Sequence, residues 1–279
     1  MAVRVVTDAG SDIAQEEAGR LGITVVPVYI RFGDEIYRDG IDIGIDEFYH
    51  KLANSPVHPA TAAPSPGEFA EIYERLAEGN NQVVSIHITR KHSAVMEAAL
   101  VAKEMVENKG YQVEVIDSQG ITIWQALVAS AAAKAASSGC DLQQVVDQAH
   151  RTINRIRGIG LLDTLRYAIK GGRLSNTIFK VESLLNIKPL LTIRDGEIRT
   201  AGITRTWNKG LERLRLFIKS AVNIEEIVIA SNTNFQDAQD LADYASSYHP
   251  DIVPIISRVG PTMGVHTGPG TLIVAIQHE

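Results

Sequence analysis

The chain has 279 residues, 45% of them hydrophobic and 22% charged, with 27 Lys+Arg against 33 Asp+Glu and one cysteine. So high an apolar content at a net charge of only -6 excludes a disordered chain, and the length can bury the core of one large domain or two of medium size. Cys140 by itself closes no internal disulfide, and no Cys/His cluster has metal-ligand spacing, so a reducing cytoplasmic setting without a metal cofactor is expected.

The opening MAVRVVTDAG has neither the apolar region nor the flanks of a signal peptide, and no uncharged apolar run approaches the roughly 18 residues of a spanning helix. The net charge conceals an asymmetry. Residues 151–220 hold 15 Lys+Arg against 5 Asp+Glu, a balance of +10, which leaves 12 against 28, or -16, for the rest. Such a contrast either neutralises itself within one molecule or marks a surface for an anionic partner.

Residues 3–7 form a short apolar run ending in Asp8-Ala9-Gly10, a buried strand and its turn. Ser11 or Asp12 is placed to cap the next helix, which Gly22 closes. Residues 23–30 are strand-like, with Pro27 requiring an edge or a bulge. Ser65-Pro66-Gly67-Glu68 is a helix start with a capping serine, a proline at the first helical position and a glutamate three residues after the cap. Residues 83–88 and 112–116 are further strands, beside helical patterns over 93–109 and about 122–137. Strands that alternate with helices build a mainly parallel sheet.

The pattern changes after about residue 157. Residues 190–194, the dipeptide Asp195-Gly196 and residues 197–205 read as a hairpin on a two-residue turn. Helix-like stretches flank it, 161–185 with a break at Gly171-Gly172 and 207–220, and three strands follow at 226–230, 252–257 and 271–277. A hairpin among helical units implies a mixed sheet, and hence two close-packed α/β domains over 1–157 and 158–279, since no flexible linker or internal repeat is present.

Common catalytic signatures are missing: no G-x-G-x-x-G after a strand, no G-x-x-x-x-G-K-[ST], no H-E-x-x-H and no G-x-S-x-G. A Ser93, His87 and Asp117 grouping is assembled only on paper. What remains are three polar loops at strand ends: 58–66 with Thr61, 88–93 with Ser93 before a helix, and 265–270 with His266, Thr267 and two glycines. Singly, each is explained by a turn, a helix cap or a core histidine. Together they suit a small anion, because a helix start offers unpaired N–H groups and the positive end of its dipole.

These loops also carry a resemblance. Val5-Val6-Thr7-Asp8, the loop 61–66 running into Gly67-Glu68-Phe69, Ser85-Ile86-His87-Ile88 with Ser93, and Val115-Ile116-Asp117-Ser118 come in the order found in the DegV family. So do Leu162-Asp163-Thr164-Leu165 with Gly171-Gly172-Arg173-Leu174, Leu184-Leu185-Asn186-Ile187-Lys188-Pro189, and His266-Thr267-Gly268-Pro269-Gly270. The resemblance spans essentially the whole chain, and the family includes the fatty-acid-binding subunits of bacterial fatty acid kinase. It implies two domains, an N-terminal mainly parallel α/β sandwich and a C-terminal mixed-sheet α/β domain, with a ligand tunnel between them.

By the same resemblance, Thr61, Ser93 and His266 bind the carboxylate of a long-chain fatty acid, while Arg173 and the nearby Lys170 meet a kinase subunit. Catalysis would belong to that partner, which forms the acyl phosphate that feeds phospholipid synthesis; this chain would be a carrier without a cofactor. A basic segment would further suit transient contact with an anionic membrane or a membrane acyltransferase, and no nucleic acid partner is implied. Where family members often read Thr-Ser-Gln-Pro-Ser and Ser-Gly-Thr, this chain has Ala62 and Ala63 after Thr61, and Ala94 and Val95 after Ser93. The head-group hydroxyls are kept, and two polar side chains after Thr61 are lost. Residues 121–126 and 179–185 and Ile203 are candidate tunnel walls. Competing readings are a lipid carrier or sensor without a kinase, and a phosphotransferase-like enzyme using Asp8 and Asp117.

Overall fold

The computed structural model describes residues 2–79, 82–174 and 187–279. In chain order, the elements begin with β1 (Val3–Asp8), α1 (Gln15–Leu21), β2 (Ile23–Val26), β3 (Tyr29–Phe32), β4 (Glu35–Arg38), α2 (Ile45–Asn54), β5 (Ala60–Ala62), α3 (Pro66–Ala77) and β6 (Gln82–His87). They continue through α4 (Val95–Glu107), β7 (Val113–Asp117), α5 (Ile123–Ser137), α6 (Leu142–Arg155), β8 (Ile156–Leu162), α7 (Arg166–Lys170) and β9 (Lys188–Arg194). The last are β10 (Glu197–Thr204), α8 (Trp207–Ser220), β11 (Ile224–Ser231), α9 (Phe235–Tyr248), β12 (Ile255–Arg258), α10 (Pro261–Thr267) and β13 (Thr271–His278).

The chain divides into two compact units. The first holds Met1–Tyr29 and Thr61–Asn154, the second Ile30–Ala60 and Arg155–Glu279. A single division at 157 therefore differs from the observed one. The third crossing, between Asn154 and Arg155, falls close to it, but residues 30–60 are grouped with the C-terminal half, because Ile30, Phe32, Ile43, Phe48 and Leu52 bury themselves with Val265.

The first unit contains a parallel sheet of order β2-β1-β6-β7. Val5, Val6, Val83, Val84 and Ile86 are all at most 2% exposed, the near-continuous apolar run of strands covered on both faces. α5 is buried almost all round, and its alanines let the helix lie close to the strands. α3 starts on the expected capping box: Ser65 Oγ accepts from Glu68 N, and Glu68 Oε2 accepts from Ser65 N at 2.8 Å. β2 ends before Pro27 at the sheet's edge, so the strand expected over 23–30 is broken in two. Neither Ser11 nor Asp12 caps α1: Ala14 holds that position, while Ser11 lies in a short 3-10 turn and Asp12 is left-handed at φ 53°.

In the second unit a mixed sheet runs β10-β9-β8-β13-β11-β12, antiparallel except for the β11–β12 pair. α8 and α9 pack on it through Leu211, Leu214, Ile218, Leu241 and Ala245 against Leu161, Ile227, Val274 and Ile276. Asp195 and Gly196 both have positive φ, 52° and 77°, giving the hairpin the mirror-image turn whose twist suits its strands. The helix expected over 161–185 is not what residues 161 and 162 form. They end strand β8, and only Arg166–Lys170 is helical before Gly171. A smaller sheet of order β4-β3-β5 completes the described elements, and the chain passes between units inside β3 and β5. Among the described residues no helix is long and apolar enough to cross a membrane.

Candidate functional site

In the parallel sheet β1 is followed by β2 on one side, while β6 and β7 lie on the other, so the winding direction reverses between β1 and β6. At such a point the loops leaving the carboxyl ends of the two strands diverge and open a crevice, the usual ligand position of this architecture. The loop after β6 is 88–94, and it carries Ser93. Ser93 is not the cap of α4: Ala94 holds that position, and Ser93 Oγ accepts from Val95 N at 3.3 Å, bridging the last loop residues to the first helical N–H.

The crevice is laced from below. Thr122 N donates to Gly10 O at 2.8 Å, Thr89 N to Gly120 O at 2.9 Å and Ser118 N to His87 O at 3.0 Å, so the loops after β1, β6 and β7 are tied together. Thr122 is held at φ 49°, a conformation a β-branched residue adopts only when its surroundings impose it. Gly120 has no alternative, because a Cβ there would stand 2.7 Å from that of Trp124.

Under these loops lies a fully buried polar network. Asp8 Oδ1 accepts from Gly10 N at 2.9 Å, and Oδ2 accepts from Ile88 N at 3.1 Å and Gln125 Nε2 at 2.9 Å. His87 Nδ1 is 2.9 Å from the same Oδ2, and His87 Nε2 is 2.7 Å from Ser85 Oγ, which accepts from Tyr73 O–H at 2.9 Å. Burial pushes the Tyr73 phenol far up, so it remains a donor. A consistent proton order then runs from Tyr73 to Ser85, from Ser85 to His87 Nε2, and from Nδ1–H to Asp8, so that these four side chains are mutually paired.

The order of groups resembles a hydrolytic triad, and the surroundings do not. Asp8, Ser85 and His87 are each 0% exposed, and the Ser85 oxygen is engaged on both sides. The paper grouping of Ser93, His87 and Asp117 is not the one formed: His87 pairs with Ser85 and Asp8, and Asp117 accepts from Gln119 N at 2.8 Å. Asp8 was read as a turn residue from sequence, and it does hold the turn at Gly10. Its partner His87, 79 residues away, left no local signal.

Thr61 lies in β5 and is partly exposed, in the first unit with Ser93. His266, on α10, belongs to the second unit, where it meets the Gly-Gly-Arg motif. A Cβ on Gly171 would strike His266 Nδ1 and stand 3.0 Å from Cε1. Arg173 Nη1 donates to Gly171 O at 2.9 Å, and Lys170 ends α7 immediately before the motif. So Lys170, Gly171, Arg173 and His266 share one neighbourhood, although sequence reading gave them separate tasks. His58 stands beside them, its ring 5.9 Å from that of Tyr167. Burial, then the charges of Lys170 and Arg166, hold its imidazole below the ordinary histidine value. The candidate wall 179–185 and Leu184-Leu185-Asn186 lie outside the described residues. No group of three or more His, Cys, Asp or Glu that could hold a metal occurs among the described residues.

A parallel α/β unit with polar loops at its switch point and a mixed-sheet α/β unit are the two parts of the architecture. The profile of the DegV family matches residues 2–279. DegV domain-containing proteins of Caldanaerobacter subterraneus subsp. tengcongensis and Halalkalibacterium halodurans are 33% and 34% identical, over 96% and 97% of this chain and 95% and 96% of theirs. Among solved structures, a DegV family protein from Thermus thermophilus described for its fatty acid binding has a TM-score of 0.90 at 28% identity, covering 100% of both chains. DegV from Bacillus subtilis, described as a fatty acid binding protein, has a TM-score of 0.89 at 25% identity, again over 100% of both. The chain belongs to the DegV family.

Proposed function

We propose that the protein binds a long-chain fatty acid by its carboxylate and presents that group to a partner kinase, which forms the acyl phosphate used in phospholipid synthesis. The observation that carries the binding step is the full-length likeness to the fatty-acid-binding DegV protein of Thermus thermophilus. The local chemistry supports it. Ser93 stands at the switch-point crevice, just before the first turn of a 13-residue helix, where a hydroxyl, free N–H groups and the helix dipole favour an anion. Thr61 and His266 complete the head-group set.

Burial of about fifteen methylenes at ~0.8 kcal/mol each supplies roughly 12 kcal/mol before ordering costs, whereas an unpaired buried carboxylate would forfeit that gain. Lys170 and Arg173 form the kinase contact, and the cytoplasm is the compartment in which such a partner and ATP are available.

Mass spectrometry of ligand released from natively purified protein tests the binding step. A fatty acid near one-to-one stoichiometry is expected, and an empty or nucleotide-loaded protein would overturn the reading. Ser93→Ala and Thr61→Ala should each weaken occupancy. Acyl phosphate formation with added kinase tests presentation: neutralising Lys170 and Arg173 should lower it while fatty acid binding persists.

A further inference from the structure

We infer that Asp8 is a positioning residue for the head-group loop: its buried carboxylate fixes residues 88–93, and with them the Ser93 hydroxyl, without touching the ligand. The inference deepens the fatty-acid reading and rests on it for the identity of the ligand, but not for the state of the loop.

Asp8 is 0% exposed and sits at the last position of β1, where its two oxygens face backbone of both loops that diverge at the switch point. Oδ1 takes the N–H of Gly10 and Oδ2 that of Ile88, the first residue beyond β6. Past Ile88 the loop's contacts include Thr89 N to Gly120 O, His92 N to Thr89 O at 3.2 Å, Arg90 N to Asp117 Oδ2 at 3.4 Å and the exposed Arg90–Glu97 ion pair. The Asp8 carboxylate is thus the side chain that joins the start of the Ser93 loop to the start of the β1 loop. Gly10 makes this possible, because a Cβ there would come 2.8 Å from Asp8 Oδ1 and 3.2 Å from Ile88 Cδ1.

The requirement is for a short side chain with acceptors only. Two backbone N–H groups, the Gln125 amide and the His87 ring all point at it, so an asparagine would aim its own NH₂ at donors. A glutamate would carry the carboxylate one methylene further and displace Ile88 or Gly10. His87 meets the same Asp8 oxygen as Ile88 N and is held in turn by Ser85 and Tyr73; the Tyr73 hydroxyl, at the far end of this chain of hydrogen bonds, touches neither Asp8 nor the loop, so it bears on stability and not on the position of Ser93.

The experiment uses the full chain with Asp8→Asn and, as a control at the far end of the network, Tyr73→Phe. Hydrogen exchange of the 88–95 amides is read without ligand, and palmitate affinity is measured by titration. In Asp8→Asn the 88–95 amides should exchange at least tenfold faster while β7 keeps its protection, and the palmitate Kd should rise at least tenfold. Tyr73→Phe should stay within twofold on both.

A folded Asp8→Asn protein with unchanged exchange overturns the inference. So does a Tyr73→Phe protein that loses palmitate affinity as much as Asp8→Asn does, since the effect would then be general loosening. If Asp8→Asn does not fold, Asp8→Glu takes its place: it keeps the carboxylate, and loop exchange and palmitate Kd equal to wild type would overturn the inference. Wild-type protein that takes no palmitate overturns the fatty-acid reading alone, because the exchange measurement reports the loop directly.

Discussion

The imidazole of His266 rests against the backbone of Gly171. A methyl group at that Cα would collide with Nδ1, stand 3.0 Å from Cε1 and lie 3.2 Å from the Tyr167 carbonyl oxygen. Gly171 has an ordinary helical φ of -75°, so its smallness and not its backbone freedom is what the position needs. Gly171→Ala must therefore move the ring or the end of α7. Overpacking of this kind costs about 1–3 kcal/mol, readable in urea unfolding. If His266 serves the head group, the palmitate Kd should rise at least tenfold as well. A destabilised variant with wild-type affinity would remove His266 from the site.

His58 makes stability pH-dependent with a definite sign. Its imidazole is held below the ordinary value of 6.5 by burial and by Lys170 and Arg166, and its Nε2 is buried with no hydrogen-bond partner among the described residues. The unfolded chain takes up the proton first, so it binds more protons than the folded one as pH falls below 6.5. Stability should fall from pH 7 towards pH 5, and His58→Phe should flatten that part of the profile in thermal unfolding. A profile of unchanged slope would show that His58 is not the group responsible.

Tyr73 and Ser85 differ in what their removal leaves behind. Tyr73→Phe deletes one buried hydrogen bond and leaves Ser85 its bond to His87, a loss of about 1 kcal/mol. Ser85→Ala strands both the Tyr73 hydroxyl and His87 Nε2 in the interior, with about 1–3 kcal/mol expected for each unsatisfied group. Denaturant midpoints should therefore rank wild type above Tyr73→Phe, and Tyr73→Phe above Ser85→Ala.

The capping box of α3 gives a fourth expectation. Ser65→Ala removes the acceptor for Glu68 N and costs about 1 kcal/mol, most of it recovered by Ser65→Asp or Ser65→Asn. Glu68 also accepts from the Tyr29 hydroxyl, so Glu68→Ala should cost more than Ser65→Ala. Equal midpoints for the two variants would mean that the Tyr29 bond adds nothing.

Local patterns carried the sequence reading where local chemistry decides structure. Ser65 to Glu68 and Asp195-Gly196 behave as written, and the parallel order follows from the alternation of strands and helices. β8 was missed because Ile156–Leu162 sets Arg157, Gly158 and Gly160 among only four apolar residues, a stretch with no period that separates strand from helix. Ser11 and Asp12 have the right chemistry for a cap, but the chain spends them on a tight turn under Asp8. The placing of residues 30–60 was not legible because it depends on Phe48 and Ile43 meeting Val265 across more than two hundred residues of sequence. In the candidate site, Ser93 was legible as a polar loop residue, whereas His266, read into a loop, lies in the last turn of α10. Asp8, which is 0% exposed, was legible most simply as a turn.

β13 lies fourth in the order β10-β9-β8-β13-β11-β12, yet it is formed by Thr271–His278, the last of the described strands to be synthesised. Until it emerges, β8 and β11 have no partner between them, and a nascent chain must carry two half-sheets with open edges. The second unit can therefore close only once Thr271–His278 is available to pair with both β8 and β11. Truncation before Thr271 would split this sheet through its middle, between β8 and β11, and not merely trim an edge.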